Sequence, residues 1–326
     1  MGEWLRNGEH VLGLDIGGTK IMATVLDADL RVVGRCRKKS KSRKNGNSAE
    51  SRIFDIVEEA LSEAKGVKIR GIGVGSPGPL DPKTGVIIDT PNLGWKDFPL
   101  AEMLARRYGV PVVVDNDVNV GTYGEWRLGD VSDCEDVVGI FPGTGIGGGI
   151  IINGRLLHGY SGAAGEVGHI TLQPDGPYCG CGKRGCLEAL ASRVAIAKEI
   201  AALAARGDAP YIAENCGTDL ANIRSGAIAK AIEAGEKMVE GVLRKAAYHT
   251  GIAAANLINI LSPEAVVLGG GLVEAMTAIY LEEVRRAVEE HAMPFLRQGV
   301  RIVPAKLGDD AVVLGAGVMI AERLRE

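Results

Sequence analysis

Residues 165–188 read GEVGHITLQPDGPYCGCGKRGCLE, and they hold three of the six cysteines of the chain together with a histidine. One imidazole nitrogen and three thiolates make a closed tetrahedral ligand set, which is typical of a structural Zn²⁺ site. Thiolate and imidazole also favour zinc over cations that prefer oxygen. Three buried thiols beside an unrelated histidine are the alternative, which is disfavoured because the surrounding glycines allow the tight backbone of a small metal knuckle. The predicted ligands are His169, Cys179, Cys181 and Cys186.

A carboxylate stands near each end of this knuckle (residues 165–188), Glu166 at the start and Glu188 at the end. Closing the metal loop would bring the two side chains together. Two groups that only accept hydrogen bonds, held by a rigid loop, are suited to binding adjacent hydroxyls of a sugar. The alternative is that both are solvated surface charges. We expect a sugar site beside the metal.

The composition indicates a globular protein with a large core. The chain has 326 residues and is 46% hydrophobic, which is enough for two packed domains. A net charge of -4 and an aromatic content of 4% argue against a nucleic-acid or membrane-surface role. The start of the chain lacks an apolar signal core, and no apolar run is long enough to span a bilayer. We therefore expect a cytoplasmic protein, in which Cys36, Cys134 and Cys216 are ordinary free thiols.

The first strongly patterned segment predicts a strand, a turn and a second strand. His10–Ile16 and Ile21–Leu26 are apolar runs, and DIGGTK at Asp15–Lys20 forms the turn. The backbone N–H groups of its glycines could bind a phosphate, with the threonine as a further donor, and Asp15 could hold Mg²⁺ or its water. A plain hairpin turn would explain the glycines but not the aspartate, threonine and lysine beside them.

A second glycine-rich segment, GTGIGGG at Gly143–Gly149, follows a predicted strand at Val137–Phe141. It matches G-x-G-x-x-G, which in a dinucleotide-binding fold opens a helix. Ile150–Leu157 reads as a strand and turn, so the dinucleotide interpretation fails. What remains is a second strand–loop–strand phosphate site. Its likeness to the first predicts two related α/β halves with a cleft between them.

Reactive groups gather where the strands of an α/β sheet end. The predicted strand Val110–Val114 ends at Asp115-Asn116-Asp117-Val118-Asn119. A carboxylate flanked by amides there could accept a proton from an attacking hydroxyl, whereas the alternative is a turn that caps the following helix. Further along, Gly269–Gly271 opens a helix after the predicted strand Glu264–Leu268, and glycines there let a flat ring approach the backbone.

The remaining patterns predict ordinary elements and one unusual run. Arg35–Lys44 is strongly basic, and we interpret it as a solvated loop. Gly71–Gly75 and Val300–Ala305 are predicted strands. Helical periodicity or alanine content predicts helices at Ala49–Ala64, Pro99–Tyr108, Ala189–Ala205, Ser225–Ile260 and Ala311–Arg323.

Together these motifs resemble the ROK family (repressors, open reading frames and sugar kinases) over nearly the whole chain. They are DIGGTK at Asp15–Lys20, NDVN at Asn116–Asn119, GTGIGGG at Gly143–Gly149, EVGH at Glu166–His169 and CGCGKRGCLE at Cys179–Glu188. Within the family, SPGPLD at 76–81, NLGWK at 92–96 and GDDAVVLGA at 308–316 look most like bacterial glucokinases. The resemblance implies the two-domain, α/β, actin/hexokinase-like (ribonuclease H-like) fold, with an interdomain cleft and a zinc knuckle. The domains would be 1–117 with 309–326, and 118–308.

The resemblance also implies roles for individual residues. Asp117 would be the general base for the 6-hydroxyl of a hexose. The sugar would be bound by Gly78, Asn92, Asn116, Asp117, Glu166, His169 and Glu188. ATP, with Mg²⁺ on its phosphates, would contact Asp15, Gly17, Gly18, Thr19, Lys20, Gly143, Thr144, Gly145, Gly269, Gly270 and Gly271. The sequence departs from the family at Pro142, where a non-proline strand residue is usual.

The implied activity is ATP-dependent phosphorylation of glucose to glucose 6-phosphate, in a homodimer or homotetramer. N-acetylglucosamine or another hexose is the alternative acceptor, and the basic run keeps polyphosphate open as the donor. A non-catalytic sugar-sensing regulator is disfavoured by the intact Asp117. A repressor of this family would need an N-terminal helix-turn-helix domain, for which we expect no room because the first predicted strand begins at His10.

Overall fold

The structure is a computed structural model that describes residues 4–40, 49–90 and 93–326. The predicted sugar ligand Asn92 and the end of the basic run, from Lys41 to Lys44, lie outside the described residues. The strands are β1 (His10–Ile16), β2 (Lys20–Leu26), β3 (Val32–Lys39), β4 (Ile69–Ser76), β5 (Leu80–Asp81), β6 (Val86–Thr90), β7 (Trp95–Phe98), β8 (Val112–Asn116), β9 (Val137–Pro142), β10 (Ile146–Ile152), β11 (Arg155–Leu156), β12 (Ala265–Leu268) and β13 (Arg301–Pro304). The helices are α1 (Ala49–Glu63), α2 (Leu100–Tyr108), α3 (Asp117–Leu128), α4 (Leu187–Ala191), α5 (Arg193–Arg206), α6 (Pro210–Asn215), α7 (Ser225–Glu233), α8 (Lys237–Leu261), α9 (Gly271–Ala275), α10 (Thr277–His291), α11 (Pro294–Arg297) and α12 (Ala311–Arg323), with 3-10 turns at Val167–His169 and Gly308–Asp310. None of the helices in the described ranges has the length and apolar character needed to cross a membrane.

The chain divides into two units that are each built from separate stretches. The first consists of Met1–Ser132, Leu156–Ala164 and Asp309–Glu326, and the second of Asp133–Arg155 and Gly165–Gly308. The boundary predicted at 117/118 falls after the first residue of α3, and the whole of α3 belongs to the first unit, where it packs on α12. A Cβ on Gly315 would lie only 2.0 Å from the Val120 carbonyl oxygen, so these two helices touch backbone to backbone.

The first unit is a five-stranded sheet covered on both faces. Its strand order is β3-β2-β1-β4-β8, with β1, β2 and β3 antiparallel and β1, β4 and β8 parallel. Leu12, Leu14 and Ile16 of β1 pack with α1 and α2 in one core. On the opposite face, Gly13 and Gly73 lie under α12, where a Cβ would come within 2.0 Å and 1.9 Å of helix carbonyl oxygens. Coverage of both faces explains why β1 reads as a continuous apolar run.

The second unit repeats this arrangement. Its strand order is β11-β10-β9-β12-β13, with β9 antiparallel to β10 and parallel to β12, which is parallel to β13. The strand β10 begins at Ile146, directly after the glycine-rich loop, so the loop does not open a helix. The largest core lies between this sheet and the surrounding helices and includes Tyr280, whose hydroxyl is 2.8 Å from Thr250 on α8. The matching strand orders confirm the prediction of two related α/β halves.

Four features of the sequence were misread or missed. The described part of the basic run is not a loop, because Arg35–Lys39 belongs to β3 and pairs with β2. Two predicted helices are each interrupted. The one at Ala189–Ala205 breaks at Ser192, which is extended and caps α5 by accepting a hydrogen bond from the Ala195 N–H at 3.2 Å. The one at Ser225–Ile260 is divided into α7 and α8, and Gly235 between them has φ +91. The three-stranded sheet β5-β6-β7 was not predicted, because its strands are short and lie among turn residues.

Candidate active site

The turn between β1 and β2 is a tight loop of the first unit. The Gly17 N–H donates to the Lys20 carbonyl oxygen at 2.8 Å. Gly18 is half-buried and Thr19 is exposed, so the tip of the loop is accessible. The Lys20 ammonium lies 3.1 Å from the Asp309 carboxylate, a pairing that the sequence did not suggest. The accessible glycine-rich tip suits the binding of a phosphate by backbone N–H groups, whereas the charge of Lys20 is already paired with a carboxylate.

Asp15 ends the strand before this loop and is only 8% exposed. Burial is the main cause that raises its pKa, to about 7, and the nearby charge of Asp117 acts in the same direction. The charge of Lys20 acts in the opposite direction. Because a carboxyl in such a place is costly to ionise alone, a divalent cation would be a favourable neighbour. The surroundings of Asp15 thus fit the predicted contact with Mg²⁺ or its water.

The turn from β8 into α3 presents Asn116 and Asp117. The Asn116 side-chain oxygen caps the helix by accepting hydrogen bonds from the N–H groups of Val118 at 2.9 Å and Asn119 at 3.3 Å. Asp117 opens the helix, and one of its carboxylate oxygens accepts from the Val118 N–H at 3.0 Å. A Cβ on Gly78 would lie 3.7 Å from the Asn116 amide nitrogen, so these two predicted sugar ligands are neighbours. The turn therefore both caps α3, through Asn116, and holds the carboxylate of Asp117 in a fixed orientation.

Behind this turn lies Asp115, whose side chain is buried and uses both carboxylate oxygens. Oδ1 accepts hydrogen bonds from the Asn116 backbone N–H at 2.7 Å and from the Asn119 amide at 3.0 Å. Oδ2 lies 2.5 Å from Nε2 of His158, and this hydrogen bond raises the pKa of His158. Sequence reasoning missed His158, which lies 43 residues away and belongs to none of the motifs.

In the second unit the four predicted metal ligands converge. Their ligand atoms all lie within 4.8 Å of one another. Sγ of Cys179 is 3.7 Å from Nδ1 of His169, and Sγ of Cys181 is 3.7 Å from Sγ of Cys186. The donor atoms of a tetrahedral zinc site are about 3.6 to 3.8 Å apart, given ordinary Zn–S and Zn–N bond lengths. The cluster therefore fits Zn²⁺ both in size and in donor chemistry.

The carboxylates of Glu166 and Glu188 both adjoin these ligands. With Nδ1 of His169 turned to the thiols, its Nε2 faces Oε2 of Glu166 at 3.9 Å. Oε1 of Glu188 lies 3.6 Å from Sγ of Cys179, and its Oε2 accepts a hydrogen bond from the Ile146 N–H at 3.1 Å. Closing the knuckle therefore places both carboxylates beside the metal ligands.

The loop between β9 and β10 is held by the start of α5. The Gly143 N–H donates to the Gly145 carbonyl oxygen at 2.8 Å, and the Gly143 carbonyl oxygen accepts from the Arg193 N–H at 2.9 Å. The Arg193 guanidinium also donates to the Thr144 hydroxyl at 3.0 Å. Gly145 has no room for a side chain, because a Cβ would lie 2.4 Å from the carboxylate of Glu188. This loop and the knuckle are thus packed directly against each other.

The glycines after β12 lie at the end of β9, where that loop begins. A Cβ on Gly269 would be 2.4 Å from the Phe141 ring, and one on Gly270 would be 2.6 Å from the Pro142 carbonyl oxygen. Gly270 also has φ +86, a conformation that favours glycine. Gly271 then begins α9. Two of the predicted ATP-binding segments are therefore neighbours within the second unit.

Comparison with known proteins establishes the family. A match to the ROK family spans residues 11–323. The chain belongs to the ROK family. A glucokinase of Halalkalibacterium halodurans is 35% identical over 318 residues, which cover 96% of this chain and 95% of that enzyme. A xylose repressor of Caldicellulosiruptor bescii is 34% identical over 274 residues, which cover 82% of this chain and 67% of the repressor.

A solved structure shows the fold of this ROK protein. The ROK family glucokinase from Streptomyces griseus, in complex with glucose and AMPPNP, is 32% identical with a TM-score of 0.81. The match covers 95% of this chain and 98% of that enzyme. The actin/hexokinase-like α/β fold predicted from the sequence is confirmed. Since kinases and repressors both occur among the relatives, the activity has to be argued from the site.

The predicted site residues of the ROK protein fall into two groups. The first unit holds Asp15, Gly17, Gly18, Thr19, Lys20, Gly78, Asn116 and Asp117. The second unit holds Gly143, Thr144, Gly145, Glu166, His169, Cys179, Cys181, Cys186, Glu188, Gly269, Gly270 and Gly271. In each unit, residues from distant parts of the chain are brought together. Asn92 lies outside the described residues.

Proposed function

We propose that this ROK protein is an ATP-dependent hexokinase that converts glucose to glucose 6-phosphate. The observation that carries the proposal is the arrangement around Asp117. This carboxylate stands at the first turn of α3, close enough to Asp15 for its charge to raise the pKa of Asp15. Phosphoryl transfer to a hydroxyl needs a group that accepts the hydroxyl proton next to a site for phosphate and its metal. In the first unit, Asp117 would be the acceptor, and the turn with Asp15 would be the phosphate and metal site.

Asp117 is the proposed general base. Its carboxylate would take the proton of the sugar 6-hydroxyl as that oxygen attacks the γ-phosphate. The hydrogen bond from the Val118 N–H fixes the orientation of one of its oxygens. The side-chain oxygen of Asn116 accepts the hydrogen bonds of the helix cap, and its NH₂ group would donate to a sugar hydroxyl.

The knuckle is the proposed sugar-binding element of the second unit. Zinc bound to Nδ1 of His169 would set the ring so that Nε2 carries the proton and faces Glu166. Glu166, His169 and Glu188 would then offer two acceptors and one donor to sugar hydroxyls. A zinc ion held by the three thiolates and the imidazole would supply rigidity here.

The two glycine loops are the proposed binding elements for the donor. The loops at Gly17–Lys20 and Gly143–Gly145 would bind phosphates of ATP through N–H groups other than those of Gly17 and Gly143, which donate within the loops. Gly269–Gly271 would lie against the adenosine. Asp15 would hold Mg²⁺ or its water, and the bound cation would neutralise charge on the phosphates. The buried, costly-to-ionise carboxyl of Asp15 supports this role.

Polyphosphate is the alternative donor, and the structure gives it less support than the sequence did. Three of the four basic residues of β3 are already paired with acidic side chains: Arg35 with Asp310 at 2.8 Å, Arg37 with Asp309 at 3.1 Å, and Lys38 with Glu59. A long polyanion would have to compete with these carboxylates. ATP therefore remains the proposed donor.

A matrix of donors and acceptors tests the proposal. ATP and polyphosphate would each be combined with glucose, N-acetylglucosamine, mannose and fructose, and phosphorylated sugar would be followed by ³¹P NMR. We expect ATP with glucose to give the highest kcat/KM. The absence of phosphorylated sugar in every combination would overturn the proposed enzyme. Sugar binding by calorimetry without turnover would then identify a sugar-sensing regulator.

A further inference from the structure

His158 is half-buried and makes a contact with a buried carboxylate that the chemistry described above does not use. It lies in Leu156–Ala164, a segment that belongs to the first unit although the chain on either side, through Arg155 and from Gly165, belongs to the second. Within this segment the Ala164 N–H donates back to the His158 carbonyl oxygen at 3.0 Å, which closes a loop. A segment that leaves its own unit for so few residues needs specific contacts to hold it.

Two contacts hold the segment on the first unit. Nε2 of His158 is 2.5 Å from Oδ2 of Asp115, whose side chain is 3% exposed. Gly162 lies against Pro82, where a Cβ would be 2.8 Å from the ring, and its φ of +78 also favours glycine. By contrast, the Tyr160 side chain in the middle of the segment is fully exposed. The hydrogen bond of His158 is thus a selective attachment, made to one buried carboxylate.

Asp115 transmits this contact to the proposed catalytic turn. Its other oxygen, Oδ1, accepts hydrogen bonds from the Asn116 N–H at 2.7 Å and the Asn119 amide at 3.0 Å, so both ends of the first turn of α3 are held by one carboxylate. If His158 did not hold Oδ2, the carboxylate could rotate and release Oδ1 from these donors. The orientation of Asn116 and Asp117 would then be less restricted, and small displacements of a catalytic group are costly in rate.

We infer that His158 is a positioning residue for the phosphoryl transfer, which acts by fixing Asp115 and through it the Asn116–Asp117 turn. This inference rests on the proposed hexokinase activity. The side chain of His158 touches neither sugar nor nucleotide in this scheme. Its loss should therefore lower kcat and weaken the binding of the sugar, because the turn contacts the sugar. The KM for ATP should stay unchanged.

The test compares His158→Ala, His158→Gln and the matched control Tyr160→Ala with the wild-type enzyme. Glutamine keeps an N–H donor of similar reach, whereas alanine removes it. We expect kcat to fall by about tenfold or more in His158→Ala, with glutamine restoring most of it, as for a misplaced catalytic group. The KM for ATP, the zinc content and the activity of Tyr160→Ala should stay at wild-type values.

Three results would overturn the inference. Wild-type kcat in His158→Ala would show that the contact is dispensable. Equal loss in the alanine and glutamine variants, or a parallel rise in the KM for ATP, would indicate a general structural role. If His158→Ala does not fold, the inference is tested by His158→Gln alone. That variant must retain near-normal kcat, and a large loss of kcat would overturn the inference. A wild-type chain that phosphorylates no hexose would instead overturn the proposed function itself, before any variant is compared.

Discussion

Glu166 and His169 face each other across 3.9 Å, carboxylate oxygen to Nε2, while the opposite ring nitrogen of His169 faces the thiol of Cys179 at 3.7 Å. A single imidazole thus links the proposed metal to the proposed sugar carboxylate. Whatever orients the ring on the metal side also sets the donor on the sugar side. Metal binding and sugar binding should therefore depend on each other.

The first prediction follows from this link. The purified protein should contain about one zinc per chain, and Cys181→Ser should lose both zinc and sugar affinity, because removing one of four ligands frees the His169 ring. Elemental analysis and calorimetry with glucose would measure the two losses. Cys216→Ser, at a half-buried free thiol, is the matched control and should keep both. A fully active protein without zinc would contradict the prediction.

The second prediction concerns the contact between the second phosphate loop and the knuckle. In Gly145→Ala the new Cβ would lie 2.4 Å from the Glu188 carboxylate, so the side chain or the loop must move. We expect kcat/KM for glucose to fall by at least about tenfold, because sugar and phosphate groups would lose their alignment. Gly241→Ala, at a helical glycine with open space around its Cβ position, should have normal kinetics. Equal kinetics in the two variants would show that the contact is unimportant.

The third prediction tests the general base. Asp117→Asn keeps the size and the helix-opening position but cannot take up the hydroxyl proton. Turnover should fall by roughly a hundredfold or more, while glucose and ATP binding remain measurable by calorimetry. Asp55→Asn, at an exposed position on α1, serves as the control and should leave turnover unchanged. Near-normal turnover in Asp117→Asn would remove this residue from the role.

The fourth prediction uses the raised pKa of Asp15. Between its ordinary value of 3.8 and its folded value of about 7, the folded state keeps the proton that the unfolded state has lost, so stability falls as pH rises through this window. Asp15→Asn removes that dependence and should stabilise the protein at pH 7.5, by at most about 4 kcal/mol, with little effect near pH 4. Chemical unfolding in Mg²⁺-free buffer at several pH values measures the difference. If the free energy of unfolding varied with pH in the same way for both proteins, the raised pKa of Asp15 would be refuted.

The fifth prediction concerns the sugar. Glu166, His169 and Glu188 are polar groups suited to hydroxyls, whereas an acetamido group at sugar carbon 2 needs an apolar wall for its methyl group. A site built for a hydroxyl leaves its polar groups unpaired when that hydroxyl is absent. The kcat/KM for glucose should be at least about tenfold higher than that for N-acetylglucosamine. This ratio corresponds to a difference of roughly 1.4 kcal/mol in activation free energy. A hexose panel at fixed ATP measures this, and a higher value for N-acetylglucosamine or fructose would refute it.

Local sequence alone was sufficient for the short motifs and for the most strongly patterned elements. The strand β1 and the helix α12 have the bounds read from their apolar patterns, because burial on both faces or along one stripe leaves a direct trace in the sequence. The metal cluster was also predictable, since three of its ligands fall within eight residues and the fourth is close by. Strand-loop-strand order around Gly143–Gly149 likewise excluded the dinucleotide fold without a structure.

Only the tertiary structure decided the contacts that hold these motifs in place. His158 and Asp115 are 43 residues apart, Ile146 and Glu188 are 42 apart, and Lys20 and Asp309 are 289 apart. The basic run was misread for the same reason, because the aspartate that pairs with Arg35 lies 275 residues further along the chain. Periodicity and motif spacing report on neighbours within one segment. The partner of a charged or hydrogen-bonding side chain is chosen by how sheets and helices pack, which no single segment records.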